Sequence, residues 1–186
     1  ANASKSKQAT SRAKQLEKKL KDQGYNFTIT ARDVRDFAAM DRGRQNEAIA
    51  AEQIARIFRK RIVWINAFGD FKINGVMIPS IKDTIFIDVT TEKYANAPCF
   101  QGVSLENYAH AVMGHELSHH MDHDAPAVYR DLVKSLEGVI KNHDEYAKKY
   151  DIKGADRDYL TKEIVGDIMG DNFTDPNRKN SELTLD

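Results

Sequence analysis

The spacing of apolar side chains along the first third of the chain predicts helices. Residues 8–23 form a polar pattern with one apolar stripe, made by Ala13, Leu16 and Leu20, and Gly24 is placed to end that helix. A capping pattern that starts at Thr30 predicts a helix over about 31–42, with Gly43 as its end. Residues 47–60 carry apolar side chains at helical spacing and predict a further amphipathic helix.

Between residues 61 and 91 the pattern changes to that of strands. Residues 62–65 form a short apolar run rich in β-formers, and residues 84–91 alternate, with Ile85, Ile87 and Val89 on one side. Asn74-Gly75 separates two further apolar runs at 71–73 and 76–78, and this pair favours a tight type I′ hairpin turn. We therefore expect three or four strands in this region.

Helical patterns return after residue 100. Ser104 is placed to cap a helix that runs to about 123, a second helix starts around Pro126 and runs to about 148, and a last one covers about 156–173. Helices, then a small sheet, then helices predict an α+β fold rather than alternating βαβ units. We expect one domain, in which an N-terminal helical segment over 1–60 packs on a core over 61–186.

Composition narrows the class of protein only slightly. The chain has 186 residues, with 28 Lys and Arg balancing 28 Asp and Glu, so its charge selects no particular partner. One cysteine excludes an internal disulfide framework and a cysteine-based structural zinc site. No apolar run approaches the ~18 residues of a membrane span, and no signal peptide is visible. These features are compatible with a cytoplasmic protein and leave the compartment open.

Positive charge is concentrated in the first 23 residues, where Glu17 and Asp22 are the acidic side chains. Residues 1–23 contain seven basic side chains: Lys5, Lys7, Arg12, Lys14, Lys18, Lys19 and Lys21. A solvated helix face is favoured over a contact with nucleic acid or anionic lipid. The sequence therefore indicates no clear nucleic-acid or membrane partner.

A metal-binding motif stands out in the helix predicted to run from Ser104 to about residue 123. Five of the six histidines lie between residues 110 and 123, and among them is His115-Glu116-Leu117-Ser118-His119. Residues four apart on a helix are ~6 Å apart along its axis and ~40° apart around it, so both imidazoles can bind one zinc ion. Glu116 is poorly aimed to be an equal ligand. It can instead hold a metal-bound water, accept its proton as the hydroxide attacks a carbonyl, and deliver that proton to the leaving amine.

The third ligand is expected on the last helix, where Glu163 and Asp167 are four residues apart and share one face. One of these carboxylates can bind the ion while the other accepts the far N–H of a ligand histidine. His123 is a poorer candidate because it lies ~12 Å from His115 along a straight helix. Asp122 and Asp124 would require the motif helix to stop early.

The pairing of His115-Glu116-x-x-His119 with Glu163-x-x-x-Asp167 resembles the gluzincin metallopeptidases, of which thermolysin is a familiar member. The resemblance implies that Glu163 is the third zinc ligand and that Asp167 is the partner of a histidine. Residues 62–176 resemble more closely the zincin-like peptidase domains of large polyvalent phage and mobile-element proteins and related toxins. That likeness implies a small mixed or antiparallel sheet packed on the active-site helix, with additional N- and C-terminal helices.

In zincins the edge strand of the sheet pairs with an extended substrate, and a tyrosine or histidine stabilises the oxyanion. The best candidate for that edge strand is Thr84, Ile85, Phe86, Ile87 and Asp88, and an ordinary core strand is an equal alternative. Three side chains are candidates for the oxyanion stabiliser: Tyr159, Tyr129 and His143.

Two functions compete on this evidence. The first is a zinc endopeptidase that hydrolyses peptide bonds of a protein or peptide substrate. The alternative is a non-catalytic zincin-fold module, a structural or binding part of a phage or secreted assembly. A module that keeps zinc only for stability has no need of the base, so the presence of Glu116 favours the enzyme.

Overall fold

The fold is α+β, as the order of the sequence patterns predicts. The computed structural model describes residues 2–30, 42–68, 74–89, 108–138, 140, 142–149 and 151–174, with backbone alone at 2–9, 42–44 and 149. Its helices are α1 (Asn2–Lys21), α2 (Arg42–Ile57), α3 (Tyr108–Asp124), α4 (Pro126–Glu137), α5 (His143–Lys149) and α6 (Arg157–Thr174). Its strands are β1 (Phe27–Ile29), β2 (Arg61–Ala67), β3 (Gly75–Met77) and β4 (Thr84–Asp88).

The four strands form one mixed sheet in the order β1-β2-β4-β3. Strand β2 runs parallel to β4, with Arg61 opposite Thr84, whereas β1 pairs with β2 and β3 pairs with β4 in antiparallel fashion. Strand β4 therefore has a neighbour on each side. The prediction that residues 84–88 form the edge strand is wrong, since both of its hydrogen-bonding sides are already used by the sheet.

Helices cover both faces of the sheet, which explains why all five residues of β4 are buried. On one face, Leu16 and Leu20 of α1 pack with Ile65 and Phe86. On the other face, alanines of α2 and apolar side chains of α3 pack against Trp64 of β2 and against Ile85 and Ile87 of β4. A strand covered on both faces carries apolar side chains at consecutive positions. The predicted one-sided alternation of residues 84–91 is therefore replaced by a fully buried strand.

Strand β1 was missed by the sequence patterns because only Phe27, Thr28 and Ile29 belong to it. It ends the sheet on the side away from β3, and α1 lies over it. The N–H of Ile29 donates to Oε1 of Glu17 at 2.6 Å. A helix side chain thus occupies an edge N–H that would otherwise be open to another strand.

Three predicted boundaries are wrong, and one of them is the start of α1, which lies at Asn2 rather than at residue 8. Gly43 lies inside α2 rather than before it. A glycine weakens a helix but can still be part of one. The single helix expected between Pro126 and residue 148 is two helices, α4 and α5. Gly138 follows the end of α4, and Asn142 takes a left-handed φ of 67° immediately before α5.

The expected hairpin turn at Asn74-Gly75 is also wrong. A type I′ turn needs positive φ at both central residues, whereas Gly75 is not among the glycines with positive φ and begins β3. The helix expected over 31–42 lies almost entirely outside the described residues, as do the strand at 71–73 and the Ser104 cap.

Helices α3 and α6 pack closely along each other, and this contact places the C-terminal acidic residues beside the histidines. A Cβ on Gly170 would lie 2.5 Å from the carbonyl oxygen of Ala111, and one on Gly114 would lie 2.8 Å from Cα of Gly170. The two glycines therefore let the helix backbones approach to a distance that larger residues prevent. Of the helices in the described ranges, none combines the length and apolar character that crossing a bilayer requires.

Candidate metal centre

The structure brings together the three side chains predicted as metal ligands. His115 and His119 lie one turn apart on α3, and Glu163 faces them from α6. Nε2 of His119 is 3.0 Å from Nε2 of His115 and 3.3 Å from Oε1 of Glu163, and Nε2 of His115 is 3.4 Å from Oε2 of Glu163. These three residues form a group that could hold a metal ion.

The electrostatics of this group favour a bound cation. Burial disfavours a charge on His115, but its hydrogen bonds to Asp167 and Glu163 outweigh that cost and raise its pKa well above the ordinary value. Burial and the neighbouring charge of His115 lower the pKa of His119 to about 4. Burial opposes ionisation of Glu163, yet the two histidines lower its pKa. Lone pairs that converge in this way are stabilised by one shared positive charge, whether a proton or a metal ion.

Asp167 fixes which nitrogen of His115 faces the group. Its Oδ1 lies 2.8 Å from Nδ1 of His115. A carboxylate can only accept, so Nδ1 carries the hydrogen, and Nε2 of the neutral ring is left with a lone pair directed toward His119 and Glu163. The predicted histidine–carboxylate pair is therefore present in the structure.

Gly166 makes room for the His115 ring. A Cβ on Gly166 would lie 2.7 Å from Nδ1 and 2.8 Å from Cε1 of His115. The imidazole thus rests against the backbone of α6, between the helix and the Asp167 carboxylate. Any side chain at residue 166 would have to displace the ring.

Glu116 lies between the ligand group and strand β3. Its side chain is buried, with 5 % of the residue exposed. A Cβ on Gly75 would lie 2.9 Å from Cγ and 3.0 Å from Oε1 of Glu116, and the backbone of Met77 forms a hydrogen bond to the carboxyl group. Burial raises the pKa of Glu116 to about 7, against the opposing charge of His115. A carboxyl with a pKa near 7 is suited to exchanging protons at neutral pH.

The alternative ligands are held elsewhere. Asp122 accepts a hydrogen bond from Nζ of Lys162 at 2.9 Å, and Nδ1 of His123 lies 3.0 Å from Oδ1 of Asp124. Neither side chain belongs to the metal-capable group found among the described residues. Both therefore serve surface contacts of α3, in agreement with the helix geometry expected from the sequence.

The three oxyanion candidates occupy different environments. Tyr129 is 1 % exposed and packs in an apolar cluster with Leu160 and Ile164, so a substrate cannot reach its hydroxyl. His143 is directed at Thr161, with 3.0 Å between Nε2 and Oγ1. Tyr159 is 48 % exposed on α6, one turn before Glu163, and its pKa is raised by partial burial and by that carboxylate. Of the three, only Tyr159 is both exposed and near the ligand group.

Two contributors to the site were not found from the sequence. Oη of Tyr146 donates to Oδ2 of Asp167 at 2.8 Å. Oε1 of Glu47 accepts from the backbone N–H of His110 at 2.8 Å and lies 2.7 Å from its Nδ1, which anchors the N-terminal turn of α3. Both contacts join residues far apart in the chain, and neither leaves a spacing pattern that sequence inspection can detect.

Comparison with known proteins gives no relative. The chain matches no protein-family model, and neither a curated protein nor a solved structure is similar enough to count as a match. The resemblance to gluzincins therefore rests on the motif residues alone.

Proposed function

We propose that the chain is a zinc-dependent endopeptidase in which Glu116 is the catalytic base. The single observation that carries this proposal is the convergence of His115, His119 and Glu163 beside the buried Glu116. The separations of 3.0–3.4 Å between the facing ligand atoms fit zinc, because bonds of ~2.0–2.1 Å in a tetrahedral site give ligand–ligand distances of about 3.3 Å. A bound zinc ion would supply Lewis acidity, lowering the pKa of a water and polarising the substrate carbonyl.

The protein side chains supply the remaining chemistry. Glu116 accepts the proton that the attacking water loses, and it returns that proton to the nitrogen of the leaving amine. Its place against Gly75 and the hydrogen bond from Met77 limit the rotation of the carboxylate. The burial of Glu116 excludes bulk water from the proton transfer, which suits a base that must act on one water.

Strand β3 replaces β4 as the proposed substrate-binding strand. Gly75 lies opposite Ile87, and the N–H of Asp88 donates to the carbonyl of Asn74 at 2.8 Å. In an antiparallel pair with this pattern, the peptide groups of Gly75 point away from β4 and toward an incoming strand. Within the described residues β3 ends the sheet next to Glu116, which accepts a backbone hydrogen bond from Met77, so the peptide groups of Gly75 are the ones offered to a substrate. An extended peptide added to β3 would therefore pass the ligand group.

Tyr159 is the proposed oxyanion stabiliser. It projects from the first turn of α6, on the helix that carries Glu163, and about half of the residue is exposed. A phenol can donate a hydrogen bond to the oxygen that becomes negative as the carbonyl is attacked. Donors of this kind contribute about 10²–10³ in kcat when they are well aligned.

The proposal is tested by Glu116→Gln, which keeps the shape of the side chain and removes the base. We expect the variant to bind about one zinc ion per chain and to lose cleavage of an unfolded protein mixture, read out by sequencing new termini. Glu137→Gln, at an exposed carboxyl of α4, is the matched control and should cleave like the parent. Equal cleavage by Glu116→Gln would contradict the mechanism, and a parent chain that binds zinc without cleaving anything would favour the structural-module alternative.

A further inference from the structure

A partly buried chain of two hydrogen bonds leads from α5 to the candidate metal ligand His115. Oη of Tyr146 donates to Oδ2 of Asp167 at 2.8 Å, and Oδ1 of the same carboxylate accepts from Nδ1 of His115 at 2.8 Å. Each oxygen of Asp167 thus has its own donor, one from α5 and one from α3. The carboxylate is therefore held by donors from two different helices.

Tyr146 is well suited to act as a fixed donor. The residue is 4 % exposed and its ring packs in the apolar cluster with Ile164 and Val165 of α6. Backbone hydrogen bonds hold both ends of α5. The N–H of Tyr146 donates to the carbonyl of Asn142 at 2.9 Å, and the N–H of Ile152 donates to the carbonyl of Ala147 at 2.8 Å. The hydroxyl therefore reaches Asp167 from a ring that has little freedom to turn.

We propose that Tyr146 is a positioning residue for metal binding, acting through Asp167 on the orientation of His115. This inference rests on the proposed metal site, but it does not require that the chain be a peptidase. A carboxylate that accepts from only one donor can rotate about its Cβ–Cγ bond. The second donor fixes the carboxylate plane, and the Nδ1–H bond then fixes the His115 ring with Nε2 toward the ligand group.

The test is the zinc affinity of Tyr146→Phe, measured by competition with a chromophoric chelator. The substitution keeps the buried ring and removes only the donor. We expect zinc affinity to fall about 10-fold, the lower end of the ~10–100-fold range for groups that support a ligand histidine. The melting temperature of the zinc-free chain should stay within a few degrees of the parent.

Tyr129→Phe is the matched control. Tyr129 lies in the same apolar cluster, is 1 % exposed, and its hydroxyl makes no hydrogen bond within the described residues. Removing that hydroxyl should leave zinc affinity unchanged. Equal zinc affinities for the Tyr146→Phe, Tyr129→Phe and parent chains would overturn the positioning role.

A double-mutant cycle with Asp167→Ala separates positioning from general packing. If Tyr146 acts through Asp167, Tyr146→Phe should have almost no further effect on zinc affinity in the Asp167→Ala background. A full 10-fold loss in that background would overturn the proposal. A parent chain that binds no zinc contradicts the proposed function and this role together, whereas zinc binding with an unaffected Tyr146→Phe contradicts this role alone.

Discussion

Gly75 touches the carboxylate of Glu116 so closely that no side chain fits between them. A Cβ on Gly75 would lie 3.0 Å from Oε1 of Glu116, 2.9 Å from its Cγ and 2.5 Å from Cγ1 of Val112. The edge strand and the motif helix are thus in backbone-to-side-chain contact at the proposed base. The sequence marked this glycine for a turn, whereas its role in the structure is close approach.

Gly75→Ala should impair catalysis more than metal binding. The added methyl group must push Glu116 or β3 away, and a misplacement of about 1 Å costs on the order of 100-fold in rate. We expect kcat to fall by about that factor while zinc affinity stays near that of the parent. Gly138→Ala is the control, because a Cβ there meets nothing within 4 Å. An active Gly75→Ala variant would mean that the position of Glu116 is not critical.

Gly166→Ala, unlike Gly75→Ala, should impair metal binding directly. Its methyl group would overlap the His115 ring, which cannot move without stretching its bond to Asp167. Zinc affinity should therefore drop by about 10-fold or more, as for loss of a group that orients a ligand. Chelator competition on Gly166→Ala and on Gly138→Ala measures the difference. Unchanged affinity would show that the ring position seen here is not the one that binds metal.

Glu163→Ala should weaken zinc binding by about 10-fold or more, since it removes one of three ligands. Asp122→Ala is the comparison, because Asp122 lies on α3 but is bonded to Lys162 rather than to the ligand group. We expect Asp122→Ala to bind zinc like the parent. The reverse ranking in chelator competition would exclude Glu163 as the third ligand.

The buried carboxyl of Glu116 should make the zinc-free chain less stable as pH rises. Its pKa in the folded chain is about 7, above the 4.5 of an ordinary glutamate. The unfolded chain therefore releases this proton first, and stability is lost between about pH 4.5 and 7. Glu116→Gln has no proton to release at this position and does not lose this stability. The unfolding free energy of the variant, relative to that of the parent, should therefore rise from pH 5 to pH 8 by on the order of 3 kcal/mol. Denaturant unfolding at both pH values measures this, and a constant difference would exclude a raised pKa.

The amount that could be predicted differs between the parts of the molecule. Helix α3 and its histidine pair follow from local spacing, because residues four apart share a helix face wherever the helix lies. Helix α6 and its two carboxylates also follow from local pattern. Strand order could not be predicted in this way. The pattern of residues 84–88 predicts a strand, and only the pairing with β2 and β3 shows that this strand lies inside the sheet rather than at its edge.

By itself, the sequence determined the α+β order of elements, the histidine pair able to bind a cation and the placement of Glu116 next to that pair in the motif. Each of these depends on periodicity within a single helix or strand. Only the tertiary structure decided which strand lies beside Glu116, that Tyr146 holds Asp167, and that Tyr129 is buried away from solvent. These relationships join residues separated by tens of positions, and they depend on how close two elements can approach, which the side-chain volumes of both elements set together.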